Sequence, residues 1–451
     1  MTRIEGWSNR IWFLFVSVIA VLTRLGLWSI YPLSINNDSP TYQQLARSIL
    51  NKGFSTYNAT RSPGYPAFLA LSGDSAYPIQ LLLGVLTTWL FFYIGWKLSG
   101  RGWFGALAAL LYSLNLGQLF FEATLLTEAL TTCLIAACFA ATLATCAHPL
   151  PANTGRHKRP ENLLRWPFFA ILAGLAAAMA GMVRPLFAVL PVLLSSYYLL
   201  FFTTPLRRRI AFGFLAALPA IFIFGWWLNF VNSNYKILSF DTIGGFRWLN
   251  HTGEYFEYVP DKYAAIRDTY IKYRDAKIAT TGTQTNAVWD AMDELQKNSK
   301  LGFYALSRKL TDISMELIRA HPDLYLKNVL SGWWMYWWAP VYWSPETLAI
   351  PALIPLIRGM ILIERAVMLL GNLLFIGVTG MLLTWKKARA ALEMSPFLWL
   401  VLGSIWMSSL AQTVLDHGDN PRYLAPLQSI LLVLVAWWLY QIIPSLKTDK
   451  K

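Results

Sequence analysis

A chain of 451 residues that is 56% hydrophobic and only 14% charged, with mean hydropathy +0.42, lies far from soluble domains, which carry about 25% charge. That balance excludes a disordered or ordinary water-soluble chain, and the 21 tryptophans and 21 tyrosines suit membrane–water interfaces. The net charge of +14 is compatible with nucleic acid in principle, but its distribution along the chain argues against that class.

Arg3 and Arg10 precede an apolar run over 11–31 with no small-residue cleavage site after it, which predicts a retained first span rather than a removed signal peptide. The polar segment INNDSPTYQQLARSILNKGFSTYNATRSPGYP follows. In it Ser39 suits an N-cap and Pro40 the first helical position, and Leu45, Ile49 and Leu50 form a stripe ending at Lys52-Gly53. A short interfacial helix is expected there. Asp38 stands directly before it, where the positive end of the helix dipole favours an ionised carboxylate; the plainer alternative is that Asp38 only caps the helix. The RSPGYP turn holds Arg61 on a rigid exposed loop.

Apolar stretches long enough to span a bilayer recur at 79–99, 103–121, 124–146, 166–183, 185–203 and 209–231. Cys133, Cys138 and Cys146 all fall within one of them, in neither a disulfide framework nor a zinc spacing. The region 232–345 reads as external: Asp261–Ile278 and Asn286–Lys300 carry mixed charge at helical spacing. MELIRAHPDLYLKNVLSGWWMYWWAPVYW then joins apolar periodicity to a dense aromatic cluster, as in helices lying along an interface, with a further span as the alternative. Spans ending near 385 and over 396–415 and 423–443 close the chain, with 346–360 fitting a re-entrant or interfacial piece. The expectation is about ten spans in three regions: a transmembrane module over 1–231 with its first external loop at 32–78, an external helical region over 232–345, and C-terminal transmembrane helices over 346–451.

With a cytoplasmic N-terminus, seventeen Lys and Arg against four Asp and Glu fall in the cytoplasmic segments, among them Arg207–Arg209 and Lys386-Lys387. The positive charge is thus a topology signal, and both termini are expected in the cytoplasm. Other charges collect at the opposite mouth. Arg24 and Glu122 lie near the outer ends of their spans, and Glu128 opens the next one in LLTEAL. Arg184 sits in GMVRPLF at an external turn, and Arg422 and Tyr423 begin the last span beside Asp416, His417 and Asp419. Charges in lipid are costly and usually face a bundle interior or a wet cavity. Each arginine alone reads as an interfacial anchor; gathered from four separate segments on one side, they point to an outward pocket for an anion.

The ordered landmarks, an acid in the first external loop, Y..LA..IL..G, R.PGYP.FLAL, LLTEAL, MVRP and a late RY..P, resemble the GT-C membrane glycosyltransferases. The similarity is to the group of protein O-mannosyltransferases and the aminoarabinose transferase of lipid A, and AHPDLYLKN before an aromatic segment shares it. It covers about 24–195, 318–345 and 416–430, and leaves 233–300 unplaced. The resemblance implies an all-α polytopic fold of about ten or more spans with external interfacial helices. It also implies a polyprenyl or dolichyl phosphate sugar as donor, used on the external face, with Asp38 as catalytic base. Many relatives carry Asp-Glu where this chain has Asp38-Ser39, so Glu128 is the candidate second acid.

On that reading Arg61, Arg184, Arg422 and Tyr423 are the candidate donor-phosphate ligands, with Arg24, Tyr42, Tyr65, Glu122 and His417 as further pocket candidates. No cofactor is required, because arginines pair well with phosphate; Asp38 with Glu122 or Glu128 also suits a divalent cation. The acceptor can be a lipid, a glycan or a protein hydroxyl, and the setting a bacterial inner membrane. The rivals are a lipid-linked glycan transporter or flippase, for which two related halves with midplane charges are missing from the sequence, a polymerase or ligase using a lipid diphosphate, and a non-catalytic scaffold.

Overall fold

The computed structural model describes residues 8–146, 165–202, 204–416 and 421–443; His417 and Asp419, and the basic loop over 147–164, lie outside the described residues. α1 (Asn9–Ile30) leads to two short helices, α2 (Ser39–Lys52) and α3 (Gly64–Ser72). α4 (Ala76–Ser99), α5 (Gly102–Ser113), α6 (Leu116–Glu122), α7 (Glu128–Cys146), α8 (Arg165–Val183), α9 (Leu190–Phe201) and α10 (Leu206–Tyr235) complete the N-terminal half. The region over 232–345 holds α11 (Gly244–Thr252), α12 (Ala264–Thr281), α13 (Ala287–Asp290), α14 (Met292–Ser299), α15 (Phe303–Ala320) and α16 (Pro322–Tyr336). α17 (Ile354–Thr384), α18 (Lys386–Ala391), α19 (Pro396–Leu415) and α20 (Ala425–Ile442) end the chain. Among the described residues there is no β-strand, only one isolated parallel bridge between Ser34 and Thr124.

Seven helical stretches among the described residues are long and apolar enough to cross a bilayer, and α5 with α6, bent by 59°, makes an eighth. The shorter apolar helices Pro167–Val183 and Pro185–Phe201 account for the remaining apolar stretches of the sequence. The protein is therefore an all-α integral membrane protein. α7 and α20 are the most enclosed spans, while α1, α10 and α17 turn rows of leucine, isoleucine and phenylalanine outwards. Water would penalise so much contiguous apolar surface, and lipid does not. Threonines inside α7 stay satisfied by donating to the preceding turn, Thr131 to Thr127 O and Thr142 to Cys138 O, both at 2.7 Å. The segment 346–360 is partly irregular, with 3-10 turns at Pro345–Thr347 and Pro351–Leu353 before α17 begins.

Two tethers position the segment over 32–78. Ser34 N–H donates to Ala123 O at 2.8 Å and Leu125 N–H to Ser34 O at 3.2 Å, which lays the loop against the turn leading into α7. Ser39 is not the N-cap: it is the first helical residue, and its hydroxyl donates to Leu125 O at 2.9 Å while accepting from Asn36 N–H at 2.9 Å. The cap position belongs to Asp38, whose carboxylate makes no capping bond. It finds charged partners instead, and these are stronger than a neutral amide.

The second tether holds the RSPGYP turn. Thr242 N–H donates to Ala59 O at 2.9 Å, and Tyr57 OH donates to Arg61 O at 2.9 Å. Gly64 seats α3 directly on the end of α8, since a Cβ there would lie 2.6 Å from both the carbonyl carbon and oxygen of Met182. Gly64→Ala is expected to lift α3 from α8 at a cost of about 1–3 kcal/mol, read as a lower melting temperature in detergent. The region over 232–345 has its own core, in which Phe246, Leu249, Phe256, Leu295, Leu306 and Leu310 are buried.

Candidate functional site

At one end of the bundle five charged side chains form one chain of ion pairs. Arg61 Nη2 donates to Asp38 Oδ1 at 3.0 Å, and Arg422 Nη2 donates to Asp38 Oδ2. Arg422 Nε lies 3.6 Å from Glu128 Oε1, the oxygen that accepts from Arg184 Nη1 at 3.1 Å. Arg422 thereby bridges two carboxylates that are 90 residues apart in sequence. The ring of Tyr423 lies under both guanidiniums, 4.6 Å from that of Arg184 and 5.9 Å from that of Arg422, within reach of a cation–π attraction.

The cluster is graded in depth. Asp38 and Arg61 are each 23% exposed and Arg422 17%, whereas Glu128 at 1% and Arg184 at 7% form its floor. Three guanidiniums against two carboxylates leave the cluster one net positive charge. Burial alone would push the Asp38 carboxyl up, but the guanidiniums of Arg422 and Arg61 outweigh it and hold it down to about 2. Burial also works against the charge on Arg61, yet Tyr42 and Asp38 keep its pKa raised. Tyr42 is itself buried, edge-on to Tyr65 with ring centroids 5.1 Å apart.

Three neighbours of this cluster carry no clear signal in the sequence. Arg247 donates to Asp241 at 2.7 Å, and the pair lies within electrostatic reach of Arg61, Tyr423 and Asp416. Both come from the 233–300 stretch that the family resemblance leaves unplaced. Tyr342, in the aromatic segment, meets the backbone of Arg422 and lies in the field of Glu128 and Arg184. Asp416 accepts from Asn250 at 2.8 Å, which ties α11 to the end of α19.

Other candidate residues are placed elsewhere. Arg24 and Glu122 do not join the pocket: they form a separate bidentate pair, Nε to Oε2 at 2.9 Å and Nη2 to Oε1 at 2.7 Å, at 3% and 0% exposure. Tyr112 OH donates to the same carboxylate at 2.8 Å, and Arg24 also donates to Ser113 O at 3.2 Å. Gly84 faces Glu122 because a Cβ would lie 2.2 Å from Oε2. The pair is closed because each charge buried in a span needs an opposite one beside it. Tyr65 is likewise a framework residue, donating to Gln80 Oε1 at 2.8 Å, while the Gln80 amide donates to Glu122 O and Thr124 O, both at 2.9 Å. His417 lies outside the described residues.

Asp38, Glu122 and Glu128 are each engaged by a guanidinium, and among the described residues no group of three or more His, Cys, Asp or Glu is placed to hold a metal ion. What the cluster can do chemically is take an anion in exchange for a carboxylate, on planar donors matched to phosphate or carboxylate geometry. A narrow crevice of about 20 Å³ beside Arg422 is lined by Gln118, Phe121, Tyr342 and Gln428.

No family model matches the chain, and no curated protein matches it. In three dimensions it is similar to the archaeal oligosaccharyltransferase AglB from Archaeoglobus fulgidus, solved in complex with an inhibitory peptide and a dolichol-phosphate. The TM-score is 0.50 at 14% identity, covering 96% of this chain and 51% of that one. The chain thus spans about half the length of that enzyme. A second solved structure, ArnT from Cupriavidus metallidurans bound to undecaprenyl phosphate, aligns with TM-score 0.38 at 15% identity over 94% of this chain and 77% of that one. The helical bundle described above shares its fold with the first of these, a GT-C protein.

Proposed function

We propose, from the GT-C fold and the charge cluster together, that the protein is a glycosyltransferase moving a sugar from a polyprenyl phosphate to an acceptor hydroxyl at the external face. The observation that carries this is Asp38 held between Arg61 and Arg422: a carboxylate occupying the guanidiniums that a donor phosphate would use. The solved structure sharing this fold was determined with a dolichol-phosphate, which agrees with a lipid phosphate as ligand. The termini lie in the cytoplasm on this reading, and a bacterial inner membrane is the setting that suits the loop charges.

The chemistry is a direct displacement. The acceptor oxygen attacks the anomeric carbon and passes its proton to Asp38, while the bond from that carbon to the phosphate oxygen breaks. The donor is a phosphodiester with one negative charge, and the departing polyprenyl phosphate carries a second. Arg61, Arg184 and Arg422 meet that developing charge, usually the largest catalytic contribution, with the excess positive charge of the site. The anomeric centre inverts. In this mechanism the guanidiniums of Arg61 and Arg422 are the ligands of the phosphate.

Donor binding also readies the base. When phosphate takes Arg422 and Arg61, Asp38 loses the partners that keep its carboxyl near 2 and gains a like charge beside it, so its pKa rises. The acid limb of kcat/KM reports the free enzyme and that of kcat the complex. For Asp38 the first is expected at or below about pH 3 and the second higher, near the ordinary carboxylate value of about 4 or above. Coincident acid limbs would rule out the exchange. Arg422→Gln is expected to bring the two limbs together and to raise KM for the donor.

Mass spectrometry of lipids from a deletion strain tests the function itself. Accumulation of a polyprenyl monophosphate sugar is the expected result. Accumulation of a lipid diphosphate glycan would move the assignment to a ligase or polymerase, and transport across vesicles without glycosidic product would move it to a flippase.

A further inference from the structure

Two buried amides in the crevice beside Arg422 carry hydrogen-bonding groups that the fold does not use. Asn115 and Gln428, 7% and 5% exposed, both line that crevice. Each is pinned at one end. Asn115 Oδ1 accepts the Gln118 N–H at 2.8 Å, capping α6, which leaves its amide N–H groups only the sulfur of Met368 at 3.6 Å, a weak acceptor. Gln428 Nε2 donates to Asn372 Oδ1 at 2.9 Å, and Asn372 Nδ2 donates to Trp337 O at 2.8 Å, so this relay fixes which way the Gln428 amide is turned. Gln428 Oε1 accepts no hydrogen bond from any described residue. Buried polar groups are normally paired, and one left over calls for a partner from outside the fold.

The crevice holds about 20 Å³, room for one hydroxyl or water, which needs roughly 10–15 Å³. It offers one donor, from Asn115, and one acceptor, from Gln428. A hydroxyl meets both at once, whereas an ammonium only donates and a carboxylate only accepts. The rings of Phe121 and Tyr342, 5.8 Å apart, also line it. Arg422 belongs to the crevice and to the ion-pair cluster alike, so a group bonded to a phosphate at Arg422 stands next to the two amides.

We infer that this crevice reads one hydroxyl of the donor sugar, which donates to Gln428 Oε1 and accepts from Asn115 Nδ2. The inference rests on the proposed function, since it needs a sugar carried on a phosphate at Arg422. A sugar tethered through that phosphate is held against the crevice, whereas the acceptor has to reach Asp38, the more exposed end of the cluster. Gln428 and Asn115 are therefore specificity-determining residues. A donor lacking the hydroxyl leaves both buried groups unpaired, and sites built in this way reject the deoxy analogue strongly.

The test uses the detergent-solubilised full-length protein, with solubilised membranes of the deletion strain as acceptor. Polyprenyl phosphate mannose, glucose and galactose are compared first, then the monodeoxy forms of the one that turns over fastest. Wild type is expected to lose about 10²-fold or more in kcat/KM at one deoxy position. Gln428→Met, which keeps the length and removes the oxygen, should lower kcat/KM for the full donor about tenfold or more while leaving that deoxy donor within about twofold. Asn115→Ser, which keeps an N-cap oxygen and withdraws the amide N–H groups, should narrow the same ratio. An equal loss with every donor would reduce the amides to packing and overturn the inference. Wild type that treats all deoxy donors like the parent would overturn it too, as the result expected of a trapped water. Wild type that turns over none of these donors would overturn the proposed function and the subsite together, whereas normal turnover with a preference unchanged in both variants overturns the subsite alone.

Discussion

Asp38→Asn is expected to lower kcat by about 10²–10⁴-fold, the usual contribution of a positioned general base, while the protein inserts and purifies normally. The fold should tolerate the change because Asp38 is 23% exposed and Arg422 still faces Glu128 at 3.6 Å. Arg61, also 23% exposed, can take water in place of the lost oxygen. Affinity should move in the opposite direction to turnover. With the competing carboxylate gone, Arg61 and Arg422 are free for phosphate, so a polyprenyl monophosphate should bind Asp38→Asn more tightly than wild type. Retained turnover would remove Asp38 as the base, and weaker lipid phosphate binding would remove the exchange of partners. Glu128→Gln is a different experiment, because Glu128 is 1% exposed and its loss strands the buried Arg184.

Glu122→Ala is expected to cost about 3–5 kcal/mol of stability, the largest effect on folding foreseen here, because it leaves Arg24 charged in a span without its partner. Arg24 is 3% exposed, and the Tyr112 hydroxyl would lose its acceptor as well. The loss should appear as poor yield and a strongly lowered melting temperature in detergent. Replacing both partners with apolar residues of similar size, Arg24→Met with Glu122→Leu, should recover much of it, since the penalty comes from the unpaired charge. The double variant should then turn over donor normally. A folded but inactive double variant would return the pair to the active site.

These two pairs illustrate how much of the site was legible in advance. Arg24, Glu122, Asp38 and Arg61 all look alike in the sequence: charges next to apolar runs on the same side of the membrane. Hydropathy gives each a depth but no direction around its helix. The close seat of Gly84 on Glu122 and the bond from Tyr112 settle that Glu122 faces Arg24, and neither follows from spacing. Asp241 and Arg247 were illegible for another reason. They lie in the stretch that the family resemblance leaves unplaced, and their nearness to Arg61 comes from a backbone bond between Thr242 and Ala59 across almost 200 residues of chain.

Ser39 marks the limit of local rules. As a Ser-Pro pair before a helical stripe it has every feature of an N-cap, yet its hydroxyl serves the Leu125 carbonyl. Capping preference is worth about 1 kcal/mol, and a tertiary contact overrides it readily.

Membrane character, the apolar stretches, the short helix behind Asp38 and the bias of charge toward one side were determined by the sequence alone. They depend on the free energy of transferring single segments between water and lipid, which is nearly additive along the chain. The tertiary structure alone decided which acid meets which base. Ion pairing falls off over a few ångströms and depends on the rotation and tilt of helices remote in sequence, set by packing that no local pattern records.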